Sequence, residues 1–318
     1  MGALDIKLDR FLTPSKVKEY IKTSPIQPRQ ITKELYSKDV ATYPSAIYPY
    51  AEIEEIAGNV PLVLRGGEPV NISEGNRTYN FIDPQPIFIS EVLTAVELNN
   101  MKSLEDASIQ KLIKEKVNRF RNAILNTIEA LAIQSLTGAI DYQLKTNTGY
   151  DTFTVKFGDV RKITPSKKPE NIQDLYNVLV EVDGALQEKG YGQDIVFYAG
   201  KDAYAKVIEI AGNYQGKVPL EFKDGGVNIG GYFIKPVRSG YKDENGKFVK
   251  AIPDKILKAV DKSAPFRLRY LAIDDVRSGL KAMPIFVAQK IDRNITLEAQ
   301  SKPLVIPVPD AIVDVEIA

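Results

Sequence analysis

The stretch from Ser103 to Gly138 constrains the chain most, because it reads as one helix without an internal Pro or Gly. At roughly 34 residues it is about 50 Å long, well beyond the usual three or four turns. Apolar residues recur at Ile109, Ile113, Val117, Phe120, Ile124, Ile128 and Leu131, the three-and-four spacing of one helical face. Ser103 is placed to cap the N-terminus, Glu105 and Asp106 put negative charge in the first turn, and Gly138 supplies a left-handed stop. Lys111, Lys114, Asn118, Arg121 and Asn122 fall on the opposite face and predict that the first half is wet on one side. From Ala123 to Ile133 the helix is apolar most of the way round and is expected to be buried. Such a helix is a spine to which other elements attach.

With 318 residues the chain can bury a large core without disulfides or metals. A net charge of +1 gives no global field to recruit nucleic acid or an anionic membrane. No apolar run is long enough to span a bilayer, and Met1 to Lys7 lack the apolar core of a signal peptide. The expectation is a protein made and kept in a cytoplasm. Cysteine and histidine are both absent. That removes thiol nucleophiles, histidine triads and the usual proton shuttle near neutral pH, leaving carboxylates, Lys and Tyr for any catalysis. No cofactor motif is present.

Residues 1–50 read as an arm. Thr13 and Pro14 cap and open a short helix, Pro25 and Pro28 stop it, and a second short helix is expected from Arg29 to Tyr36. Tyr43-Pro44 and Tyr48-Pro49-Tyr50 then form an extended aromatic segment. Aromatic rings in such a segment can stack single-stranded bases, but residues 39 to 64 carry no Lys or Arg. Packing on the protein or a neighbour is the preferred reading.

Residues 53–98 predict a long β-hairpin. Its outward leg is Val60 to Arg65, its tip is Gly66-Gly67, and its return leg carries Tyr79, Phe81, Ile87, Ile89 and Val92, with Pro84 and Pro86 marking an edge. A hairpin with so little core of its own must lie against something else. The Arg65-Gly-Gly-Glu68 tip is no phosphate loop, since no helix follows it. A second hairpin is expected over 139–165 and an amphipathic helix over 171–188, followed by a buried strand at 194–198 and a helix at 201–211. Gly225-Gly226 and Gly230-Gly231 flank a strand-like triplet and precede another strand at 232–237, so they predict turns. An Asn245-Gly246 hairpin covers 239–248, a strand starts at Lys255, and further strands fall at 283–288, 295–298, 304–308 and 312–317.

Several of these stretches are family-like. Ser239-Gly240-Tyr241, Glu244-Asn245-Gly246 and Ile252-Pro253-Asp254, then Gln300-Ser301-Lys302-Pro303-Leu304 with Pro309-Asp310, Val313 and Val315, occur in that order. Arg65-Gly66-Gly67 and the spine precede them at fitting intervals. From about residue 25 onward the chain resembles the lambda-type major capsid protein E family of tailed bacteriophages. The order and spacing of the motifs carry this, not any one of them.

The resemblance implies an α+β chain with the Hong Kong ninety-seven capsid fold. Its parts would be an N-terminal arm (1–50), an entry strand with an extended E-loop hairpin (51–98), a P-domain on a spine helix at 104–137 (99–169), an A-domain (170–262), and a return to the P-domain sheet (263–318). It further implies a non-enzymatic major capsid protein that joins into hexamers and pentamers of an icosahedral virion shell, assembled in the host cytoplasm. A cellular nanocompartment shell of the same fold is the nearest alternative. The E-loop residues Arg65, Gly66, Gly67, Glu68 and Arg77 would touch a neighbouring subunit, and Lys111, Lys114 and Arg121 would face packaged double-stranded DNA without sequence preference. The short arm leaves no room for a fused scaffold, so a separate scaffolding protein is expected, with a decoration protein as a further partner. Some shells of this fold are welded through an E-loop lysine, but no lysine lies between Lys38 and Lys102. Noncovalent contacts are therefore expected.

Two readings of other classes compete. A carboxylate enzyme would draw on Glu52, Glu54 and Glu55 or on Asp274 and Asp275, yet acids adjacent in sequence do not face each other across a cleft, and solvated surface charge is the simpler account. A nucleic-acid-binding module would use Lys111, Lys114 and Arg121, which also fit an ordinary wet helix face.

Overall fold

The computed structural model describes residues 10–22, 29–52, 78–102, 105–214, 216, 218–243, 245–291 and 295–318. The first helix, α1, covers Pro14–Lys22 and α2 covers Ala95–Lys102. The spine is α3, Asp106–Ser135, opened by extended Glu105; the expected cap Ser103 lies outside the described residues. Ile109, Ile113, Val117, Phe120, Ile124, Ile128 and Leu131 are all buried, as their spacing predicts. Gly138 ends the helix at φ 84°, and a Cβ there would sit 2.2 Å from the Gly158 carbonyl oxygen. Only glycine meets both conditions.

The arm does not hang free of the spine but tracks it. Arg29 Nη2 donates to Asn126 Oδ1 at 2.9 Å, Ile31 N and Thr32 N donate to the Glu129 carboxylate at 3.0 and 2.8 Å, and Tyr36 OH meets Ser135 Oγ at 2.5 Å. Sequence separation stays between 97 and 99 along these contacts, so the two segments run parallel. Phe11, Leu12, Val17, Tyr20, Ile31, Leu35 and Tyr36 are buried in the same core as the spine. The expected second helix is present as a π-helical turn, Thr32–Tyr36.

Small sheets flank this core. Strand β1 (Val40–Thr42) runs parallel to β15 (Arg267–Tyr270), which pairs antiparallel with β18 (Pro303–Ile306). Strands β2 (Tyr48–Glu52) and β3 (Thr78–Ile82) form an antiparallel ribbon. Strand β4 (Ile87–Leu93) pairs with β17 (Ile295–Ser301), which pairs with β16 (Phe286–Ile291). The hairpin expected after the spine is β5 (Ala139–Lys145) with β6 (Tyr150–Lys156).

A second core lies on a seven-stranded mixed sheet. Its order is β7 (Arg161–Ile163), β19 (Ile312–Glu316), β14 (Ile256–Asp261), β8 (Ile195–Ala199), β11 (Tyr232–Pro236), β10 (Gly226–Ile229), β9 (Leu220–Lys223). Helices α4 (Ile172–Gln187) and α5 (Lys201–Gly212) pack on it through Leu175, Leu179, Val182 and Val207. Gly225, Gly230 and Gly231 have positive φ, as turns demand. The hairpin β12 (Gly240–Lys242) with β13 (Phe248–Lys250) lies beside α3. Residues 312–316, within the return unit expected at 263–318, pair with β14, which falls within 170–262.

Candidate assembly surface

Of the stretch read as a long hairpin, residues 53–77 lie outside the described residues. Flanking them is the β2–β3 ribbon, in which Tyr48–Glu52, read as the arm's extended segment and the start of the next unit, pairs with the return leg from Tyr48 opposite Ile82 to Glu52 opposite Thr78. Tyr48 packs edge-on against Tyr43, and Tyr50 against Phe157 at 5.6 Å between ring centroids, which fixes the ribbon to the body. Phe81, on the ribbon, is 73% exposed. The proposed contact residues Arg65, Gly66, Gly67, Glu68 and Arg77 lie outside the described residues.

The link from β3 to β4 is held by a lysine that the sequence pattern does not announce. Lys302, nearly fully buried, places Nζ 3.1 Å from both Asp83 and Asp274 carboxylates. One cation thereby ties the hairpin's exit to the loop before β16.

That loop, residues 274–281, presents apolar side chains on a rigid support. Arg277 Nη2 donates to Asp275 and Glu298, each at 2.6 Å, and Nη1 to the Gln289 carbonyl oxygen at 3.1 Å. These bonds raise the Arg277 pKa above its ordinary value, with Asp275 the larger cause. Asp275 in turn lies below the usual carboxylate range, first through Arg277. Gln300 Nε2 also donates to Asp275, at 3.1 Å. On this braced loop Val276 is 87% exposed, and Leu280, at φ 54°, is exposed as well. Phe88 and Val92 are exposed on the neighbouring β4. Apolar side chains held in place outside the core gain stability by burial against a second molecule.

The spine cations divide. Lys111 is exposed and Lys114 half-buried, but Arg121, expected on the wet face, is buried. The arm runs along this part of α3 and brings the Arg29 guanidinium close to Arg121. Lys116 is also buried and pairs with Glu91 and Glu97, the latter at 3.1 Å, while Arg119 reaches Glu91 at 2.9 Å. Of the stripe Lys111, Lys114 and Arg121, the first two reach the surface and the third does not.

The two aspartates of the enzyme reading are each held by a cation. Asp274 goes to Lys302 and Asp275 to Arg277, while Glu54 and Glu55 lie outside the described residues. Among the described residues no group of three or more Asp and Glu side chains could hold a metal ion, and no helix is long and apolar enough to cross a membrane.

A model of the family described as phage major capsid protein E matches residues 13–317. No curated protein sequence matches the chain. Among solved structures it is similar to a crystal structure described as the capsid protein of a prophage of E. coli CFT073. That likeness has 16% identity and a TM-score of 0.63, over 96% of this chain and 99% of the other. More distant are the capsid of cyanophage P-SCSP1u (12% identity, TM-score 0.45, 93% of this chain and 90% of that one) and the holo-SrpI encapsulin complex of Synechococcus elongatus PCC 7942 (12%, 0.47, 95% and 95%).

Proposed function

The chain belongs to the phage major capsid protein E family, and we propose from that premise that its copies join into hexamers and pentamers closing an icosahedral shell around a phage or prophage genome. Its α+β architecture is the Hong Kong ninety-seven capsid fold, and its place is the virion shell. The observation that carries the reading is the extent of the match: residues 13–317 take in the arm, the hairpin region, the spine and both cores.

Within this reading the units 1–50, 51–98, 99–169, 170–262 and 263–318 serve as arm, E-loop region, P-domain, A-domain and return, with β19 lent to the A-domain sheet. The tip residues Arg65, Gly66, Gly67, Glu68 and Arg77 contact the adjacent subunit. Lys111 and Lys114 face packaged DNA, and a separate scaffolding protein and a decoration protein act as partners. The β2–β3 ribbon supports the hairpin's role, since a two-stranded ribbon has no core of its own.

Replacing residues 56–75 by a short Gly-Ser turn tests the proposal. The variant is expected to melt as the parent does, within about 2 °C, and to form no shells. Shells of normal size from that variant would overturn the hairpin's role.

A further inference from the structure

An open cavity of about 530 Å³ lies between the C-terminal half of α3, β5 and the β12–β13 hairpin, a volume in the range of small-molecule sites. Its walls include the Ser239-Gly240-Tyr241 run that the shell reading leaves without a task.

Three cations, Arg29, Arg238 and Lys242, line it against one carboxylate, Glu129. Both Glu129 oxygens are already engaged, Oε1 by Ile31 N at 3.0 Å and Oε2 by Thr32 N and Thr32 Oγ1 at 2.8 and 2.6 Å. Burial and then the nearby Arg121 pull the Arg29 pKa below its ordinary value, with Glu129 opposing. Arg29 Nε and Nη2 are already given to Asn126 Oδ1 at 3.2 and 2.9 Å, so the exposed Arg238 and Lys242 are the cations that make the lining positive.

The lining is also aromatic. Tyr142, Tyr241 and Phe248 line it, and Phe248 is 54% exposed. Gly240 lets that ring lie against the strand, since a Cβ would come 2.4 Å from Phe248 and 2.3 Å from the Val249 carbonyl oxygen. Tyr241 OH accepts from Gln134 Nε2 at 3.0 Å, which fixes its ring.

We propose that this cavity binds a nucleotide unit, its phosphate held by Arg238 and Lys242 and its base laid on the Tyr241 and Phe248 rings. A guanidinium fork matches two phosphate oxygens, and an aromatic face accepts any base. An acidic peptide would use the cations but leave the rings idle. The site is distinct from Lys111 and Lys114, which lie roughly 20 Å away along the helix axis, and it does not depend on shell formation.

The test titrates the full-length protein with inorganic phosphate, deoxythymidine 5′-monophosphate and a short fluorescent oligothymidine. The nucleotide probes are expected to bind roughly tenfold or more tightly than phosphate. Arg238→Ala with Lys242→Ala should weaken nucleotide binding about tenfold, and Phe248→Ala should weaken it while leaving the phosphate affinity unchanged. Lys223→Ala, an exposed cation on β9 away from the lining, should change nothing. These are surface positions, and a melting curve for each variant separates lost binding from lost fold. Equal affinity for monophosphate and oligonucleotide would assign a free nucleotide, and binding of the oligonucleotide alone would assign a strand; both support the site. Phosphate bound as tightly as nucleotide, affinity unmoved by the cavity variants, or no binding of any probe would each overturn it.

Discussion

Asp261 is fully buried, and its carboxylate accepts hydrogen bonds from Gly192 N, Gln193 N, Asp194 N, Ser263 N and Ser263 Oγ. Burial pushes its pKa up, but the hydrogen bonds outweigh burial and hold it below the ordinary value of 3.8. A depressed folded pKa means stability that is complete above the unfolded value and lost as pH falls through the folded one. Asp261→Asn should therefore cost about 2 kcal/mol at neutral pH and should flatten the fall of stability below about pH 4; urea melts across that range check both. Lys258 makes a second such case at the end of the spine. Its Nζ donates to the Leu136 carbonyl oxygen at 2.9 Å and pairs with Asp314, and burial drives its pKa down. Lys258→Met should cost roughly 3 kcal/mol by stranding Asp314, and adding Asp314→Leu should recover most of it. Equal stability of the single and double variants would show that the pair is not coupled.

At the scale of elements, α3 is where local pattern and tertiary structure agree best. The three-and-four spacing marks the buried face because every turn of a long helix repeats the same choice. Phe120→Asp should cost roughly 4 kcal/mol or more by burying an unpaired charge in place of a ring, whereas Lys114→Glu should leave the melting midpoint within a degree or so. Similar melts for both would mean that the two faces are misassigned. Arg121 shows where the pattern runs out. Its position on the helix is polar, but the arm, from almost a hundred residues earlier, runs along this part of α3, and helical spacing carries no information about which distant segment lies there. Lys302 and Asp261 escaped for the same reason, since their partners Asp83, Asp274 and the 192–194 loop come from other parts of the chain. Lys258 did leave a trace, as a lone charge inside the apolar run Ile256 to Val260.

For the whole molecule, helices and local hairpins were legible because their signals are short-range: the α4 and α5 spacing, the Asn245-Gly246 turn, the glycines around β10. Pairings across the chain were not, as with β1 beside β15 and β4 beside β17. The last strand's place next to β14 was not legible either, because alternation shows that a strand is half-buried without showing in which sheet. The shell assignment came from the order of the motifs, and the family match over residues 13–317 now carries it. What the fold adds is a reason to associate: exposed Phe81, Phe88, Val92, Val276 and Leu280 on supports fixed by ion pairs and ladders. Negative-stain imaging of the purified protein across a concentration series, at moderate salt, tests that claim most directly. The account predicts rings of five and six subunits and closed shells as concentration rises. Compact monomers at every concentration, with the fold intact by circular dichroism, would contradict it.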